Sequence, residues 1–154
     1  AEAAFTGAGD AGALYQNTAG PAGININIVQ EPNDGYWSNV WLRKPWCACY
    51  WSGRATEDWM FSTAYESGVP WNDTGWENER FQSLLLQGRA ELDTGLRGEI
   101  YREMQEICRD EGGTVVPMYQ NYVDAKSNRV EHSGQTGNLW MLDNLRSCKR
   151  WWSA

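Results

Sequence analysis

The chain has 154 residues, enough for one domain with a hydrophobic core, and ten of them are tryptophan. Its formal net charge of −7 argues against nucleic acid and anionic membrane as partners. No apolar run approaches the ~20 residues needed to cross a bilayer. There is neither a signal peptide nor an initiating Met, the expectation for a processed chain or a piece of a longer one.

Near the start, Gly7-Ala8-Gly9-Asp10-Ala11-Gly12 fits the pattern G-x-G-x-x-G. The alternating segment Ile24-Asn25-Ile26-Asn27-Ile28-Val29 reads as a strand, and Glu31 stands about where a ribose-binding acid would. Dinucleotide binding through Gly7, Gly9 and Gly12 also needs a strand in front. Residues 1–5 are too short for one, lack β-branched side chains and carry Glu2. The glycines read better as a loop into an Ala-rich helix, which Gly20-Pro21-Ala22-Gly23 ends. Pro32-Asn33-Asp34-Gly35 predicts a turn. A short helix is expected over 36–43, with Tyr36, Trp37, Val40 and Trp41 on one side, stopped by Pro45.

The stretch 47–58 organises the rest. Residues 47–51 are apolar with aromatic ends and read as a buried strand. The chain can turn at Ser52-Gly53, and Thr56 is placed to cap a helix running to about residue 65, with Glu57 and Asp58 in its first turn. This arrangement sets Trp51, Gly53, Arg54 and the helix amides on one rim, where α/β folds commonly hold ligands. An ordinary connection carrying a surface Arg is the alternative. The loop 66–76 is rich in turn formers yet carries Trp71 and Trp76, which either face a ligand or plug the core.

Two amphipathic helices follow. Residues 77–92 place Phe81, Leu84, Leu85, Gly88 and Leu92 on one stripe. Residues 94–110 place Leu96, Ile100, Met104, Ile107 and Cys108 on another, capped by Asp93 or Thr94 and closed by Gly112-Gly113. Residues 114–119 read as a strand, 128–138 as a loop and 140–152 as mixed, with a strand near its end. Strands alternating with helices long enough to cross over predict an α/β fold with a mixed sheet flanked by helices.

Cys47, Cys49, Cys108 and Cys148 make an even count that permits disulfides. Cys47 and Cys49 point the same way on a strand, poor geometry for bonding to each other, so Cys108–Cys148 is the more plausible pairing, and whether any bridge forms is left open by the sequence. C-x-C lacks the zinc spacing and His132 is the sole histidine, so no metal or other cofactor is expected. G-x-S-x-G, H-E-x-x-H and the P-loop are absent, and the chain is not read as an enzyme.

An ordered series now stands out: Trp51-Ser52-Gly53, Asp58, Trp71-Asn72-x-Thr74-x-Trp76-x-Asn78-x-x-Phe81, then Ala90-Glu91-x-Asp93-x-x-x-Arg97-x-x-x-Tyr101-x-x-x-Gln105, then Asp110-Glu111-Gly112 and Val116-Pro117. From about residue 23 to 130 it resembles the C-terminal lobe of family 5 extracellular solute-binding proteins, the dipeptide- and oligopeptide-binding components of ABC importers. The resemblance implies a partial lobe of a type II periplasmic-binding-protein fold. Residues 1–128 would belong to the ligand-binding lobe, and 129–154 would form a tail crossing back toward a missing N-terminal lobe. It also implies a periplasmic, or extracellular and membrane-tethered, location and a membrane permease as partner.

In peptide binders of that family an aspartate three positions after the strand Trp pairs with the peptide's amino terminus. Arg54 stands there in this chain, a permanent cation with a fork of donors. It suits a carboxylate, a phosphate or a cluster of sugar hydroxyls, or else it pairs internally with Glu57 or Asp58. The ligand-binding residues expected are Tyr50, Trp51, Gly53, Arg54, Trp71, Asn72 and Trp76, for a peptide, oligosaccharide or anionic solute. A free-standing carbohydrate-binding module built on exposed Trp is the rival reading, although the two long helices argue against it.

Overall fold

The longest elements form where apolar residues recur at helical spacing. In a computed structural model describing residues 1–154, the chain divides into two units, Ala1–Trp51 and Ser52–Ala154.

In the first unit, α1 (Ala8–Ala19) begins at Gly7, whose φ of 84° is open to glycine at little cost. A 3₁₀ turn, Gly20–Ala22, ends it through Pro21 and Gly23. The second helix, α2 (Tyr36–Asn39), is a single turn. The longer helix expected over 36–43 does not form, because Leu42 takes a left-handed φ of 59° three residues before Pro45. Its apolar face is nevertheless used: Tyr36 and Val40 are buried with Ala4, against Phe5, Ala8 and Cys47. Trp37 stays exposed.

The second unit is built on a helical hairpin. Its first helix, α3 (Glu57–Met60), is capped by Thr56, whose hydroxyl accepts from the Trp59 amide at 3.2 Å, and runs on as a π turn, Phe61–Tyr65. Next, α4 (Glu79–Ala90) is capped by Asn78. The hairpin closes with α5 (Thr94–Glu111), capped by Asp93, whose carboxylate accepts from the Gly95 and Leu96 amides at 2.8 and 3.0 Å. Losing that cap in Asp93→Ala is expected to cost about 1 kcal/mol in urea denaturation, with faster amide exchange at Gly95 and Leu96.

Phe61, Phe81, Leu84, Leu85 and Met104 form the core, flanked by Tyr65, Trp76, Ile100, Tyr101, Ile107 and Cys108. Gly88 lets the helices close up, since a Cβ there would meet Ile100 and the Tyr101 ring at 3.3 Å. Two residues of the expected stripes face water instead: Leu92 lies past the end of α4, and Leu96 turns outward in the first turn of α5.

The sheet also differs from expectation. The ladder present is two-stranded and antiparallel, β1 (Val130–His132) with β2 (Trp151–Ser153), Glu131 opposite Trp152. Residues 24–29, 47–51 and 114–119 carry no regular structure. A strand is held by its neighbours' hydrogen bonds, and these segments have no neighbouring strand to pair with. The Cys108–Cys148 bridge is not formed either; all four cysteines are thiols. Cys108 packs on the hairpin core, whereas Cys148 is exposed.

Candidate functional site

Arg54 lies in the turn that leads into α3. Its Nη1 donates to the Ser52 carbonyl and to the Ser52 hydroxyl, both at 2.8 Å, and its guanidinium carbon stands 5.4 Å from the centroid of the Trp59 ring. The cation is thus pre-shaped by its own turn and by an indole platform one helical turn on. Sequence reasoning missed Trp59, which is half exposed. Its signal was the spacing: five residues after Arg54, in the first turn of a helix whose cap was legible.

Gly53 has a close neighbour. A Cβ there would meet the end of the Leu139 side chain at 2.8 Å, so residue 139 packs where the sequence suggested an open rim.

Behind Arg54, Asp58 ties the turn to the hairpin. Its Oδ1 accepts from Arg89 Nε at 2.8 Å and from the Tyr101 hydroxyl at 3.2 Å. Arg89 Nη2 donates to the Ser62 hydroxyl at 2.6 Å and stands 3.5 Å from Glu66. Of the two internal partners the sequence offers for Arg54, Asp58 is engaged by Arg89. Burial, then the Asp58 charge, pushes the Tyr101 hydroxyl above its ordinary range. The hydrogen bond to Asp58 likewise holds the Arg89 guanidinium protonated. The pair is about one third exposed, so screening limits its worth. Asp58→Asn is expected to lower the stability of this unit by about 1 kcal/mol, less at high salt, in denaturation at two ionic strengths.

Two grooves flank the start of α3. One, of about 340 Å³, is lined by Arg54, Ala55, Thr56, Glu57 and Met60. The other, of about 600 Å³, runs along α5, with Arg89, Arg97, Tyr101, Arg102 and Gln105 on its walls. Both share Thr56 and Glu57. The larger carries three guanidinium groups beside Glu57 and Asp58, and the smaller carries that of Arg54 beside Glu57; guanidinium groups of this kind can receive an anion or a hydroxyl cluster.

The Trp loop splits. Trp71 is half exposed. Trp76 is a core side chain, its ring edge-on to Phe81 at 5.2 Å and to Tyr65 at 6.3 Å. A ring so close to Phe81 is held by packing. Asn72 closes the loop, with Nδ2 donating to the Trp76 carbonyl at 2.8 Å and Oδ1 accepting from Thr74 at 3.1 Å. These bonds fix the Asn72 side chain within the loop.

In the first unit, Tyr50 is exposed and edge-on to Trp37 at 5.5 Å, while Trp51 is half-buried and 6.5 Å from Trp41. The glycine motif meets an internal anion. Glu2 accepts from the Gly7 amide at 2.6 Å and the Gly9 amide at 3.3 Å, and these bonds hold its carboxyl below the usual range. The amides that a pyrophosphate would use are occupied by Glu2, and no strand precedes the motif.

Comparison with known proteins gives a local likeness. Over 48 residues, 31% of this chain, the sequence is 44% identical to the oligopeptide-binding protein OppA of Bacillus subtilis (strain 168). A segment of this chain is similar to a protein that binds oligopeptides. The match spans 9% of that protein's length. No protein-family model and no solved structure matches the chain.

Proposed function

We propose that this chain is part of the C-terminal lobe of a solute-binding protein of the oligopeptide-binding kind, a receptor without catalysis. The observation that carries the reading is the local identity to an oligopeptide-binding protein, beside the ordered series from Trp51 to Pro117. The whole receptor is proposed to be longer, as that relative is, with two lobes that close on a solute. In this reading a peptide or other small polar solute enters the cleft, and Arg54, braced on Ser52 and Trp59, takes its anionic or hydroxylated end. Trp71 supplies an apolar wall. Burial between the lobes favours the closed state by differential affinity, and a membrane permease reads that state. The setting proposed is the periplasm or the outer face of a membrane.

Native mass spectrometry of the complete protein, gently purified from its own host, tests this. A retained acidic, sugar or peptide mass, released by Arg54→Ala, supports the reading. Absence of any retained solute, with a precursor no longer than this chain, overturns it.

A further inference from the structure

Outside that site, the first unit holds two thiols in an arrangement that nothing above uses. Residues 47–50 alternate between half-buried and exposed: Cys47 and Cys49 turn inward, and Ala48 and Tyr50 outward. Both cysteines therefore lie on one side of the chain. The hydroxyl of Tyr36, a side chain only 4% exposed, donates to the Ala48 carbonyl at 2.7 Å, which anchors the backbone between them. Cys47 packs on the Tyr36 cluster.

We propose that Cys47 and Cys49 form a two-thiol site for a soft, two-coordinate cation of the copper(I) class. The feature that disfavours zinc suits such an ion. Zinc needs about four ligands, and no group of three or more metal-ligating side chains is assembled anywhere in the structure. Copper(I) is satisfied by two thiolates, and thiolates select it over harder cations. The alternating burial sets both side chains on one side of the segment, the arrangement in which two sulfurs can bracket one ion. The strict disulfide distance that argues against a Cys47–Cys49 bond does not apply to a metal spanning the two sulfurs. On binding, each thiol loses its proton to solvent and two S–Cu bonds form; the oxidation state of sulfur and of copper is unchanged. The Tyr36 hydroxyl donates its one proton to the Ala48 carbonyl and so holds the backbone between the two sulfurs in place.

The test titrates the 154-residue chain anaerobically with copper(I) against a chromogenic copper(I) chelator. It uses wild type, Cys148→Ser, Cys47→Ser and Cys49→Ser. Binding of one equivalent is expected in wild type and unchanged within threefold in Cys148→Ser, an exposed position whose replacement leaves packing alone. Affinity falls at least a hundredfold in Cys47→Ser and in Cys49→Ser. X-ray absorption on the Cys148→Ser protein reads two sulfur neighbours and no nitrogen or oxygen, which keeps the test intact if either inner variant misfolds. Zinc(II) alone gives no comparable binding. Copper retained when both inner cysteines are replaced, copper lost in Cys148→Ser, or a single-sulfur spectrum each overturns the site.

Discussion

Phe81→Ala is expected to unfold the Ser52–Ala154 unit or to leave it barely stable. Phe81 is fully buried and meets Phe61 and Trp76 edge-on, both at 5.2 Å. Three consequences add. The ring's transfer energy is lost, a cavity remains, and two favourable edge contacts vanish. Phe→Ala changes of this kind cost about 3–5 kcal/mol. A domain of this size holds only about 5–15 kcal/mol in all. The cavity has little chance to collapse, because Leu84, Leu85 and Met104 around it are fully buried as well and Gly88 already brings the two helices to contact distance. Urea denaturation followed by far-UV circular dichroism measures the loss. The half-exposed Trp71→Ala is the control, expected within about 0.5 kcal/mol of wild type. Equal, small effects from the two changes would mean that the hairpin is not packed as described.

The same residues show what the sequence could and could not convey. Two helix starts were legible because a cap is a local bond: Thr56 and Asp93 each satisfy amides two or three residues on, whereas sequence reasoning missed the Asn78 cap of α4. The stripe Phe81, Leu84, Leu85 and Gly88 was legible because helical periodicity reports a buried face. Strands were not, since an alternating or apolar run is only half of a ladder. Ile24 to Val29 alternates well and still pairs with nothing. Within the candidate site, Arg54 stood out as a charge beside a turn, but its indole platform and its Ser52 brace are matters of side-chain direction. The Asp58–Arg89–Tyr101 set was out of reach for a different reason. Its members lie 31 and 43 positions from Asp58, and only the docking of α3 on the hairpin joins them. Trp71 and Trp76 share a loop and a residue type, and only the path of that loop sends one to the core and the other to solvent.

Cys108 is expected to be about a thousandfold less reactive than an ordinary exposed thiol, and Cys148 to label readily. Burial against the hairpin core pushes the Cys108 thiol up to about 12. The thiolate is the nucleophile, and an ordinary thiol titrates near ~8.5–9. Near neutral pH the Cys108 thiolate fraction is therefore about three decades below the ordinary value, while Cys148 is exposed to reagent. Alkylation at pH 8 with peptide mapping is the measurement: Cys148 labels in minutes and Cys108 stays unlabelled until denaturant is added. The sign of the stability linkage follows from the same shift. A raised folded-state value means that the native chain keeps the proton longer than the unfolded one. The stability attached to the neutral thiol is complete below about pH 9 and is lost as pH rises toward 12. Cys108→Ala removes that alkaline dependence, at the cost of a small cavity beside the core. Rapid labelling of Cys108 in the native chain at pH 8 would show that the C-terminal turns of α5 open on the timescale of labelling, and that the core ends nearer Met104 than Ile107.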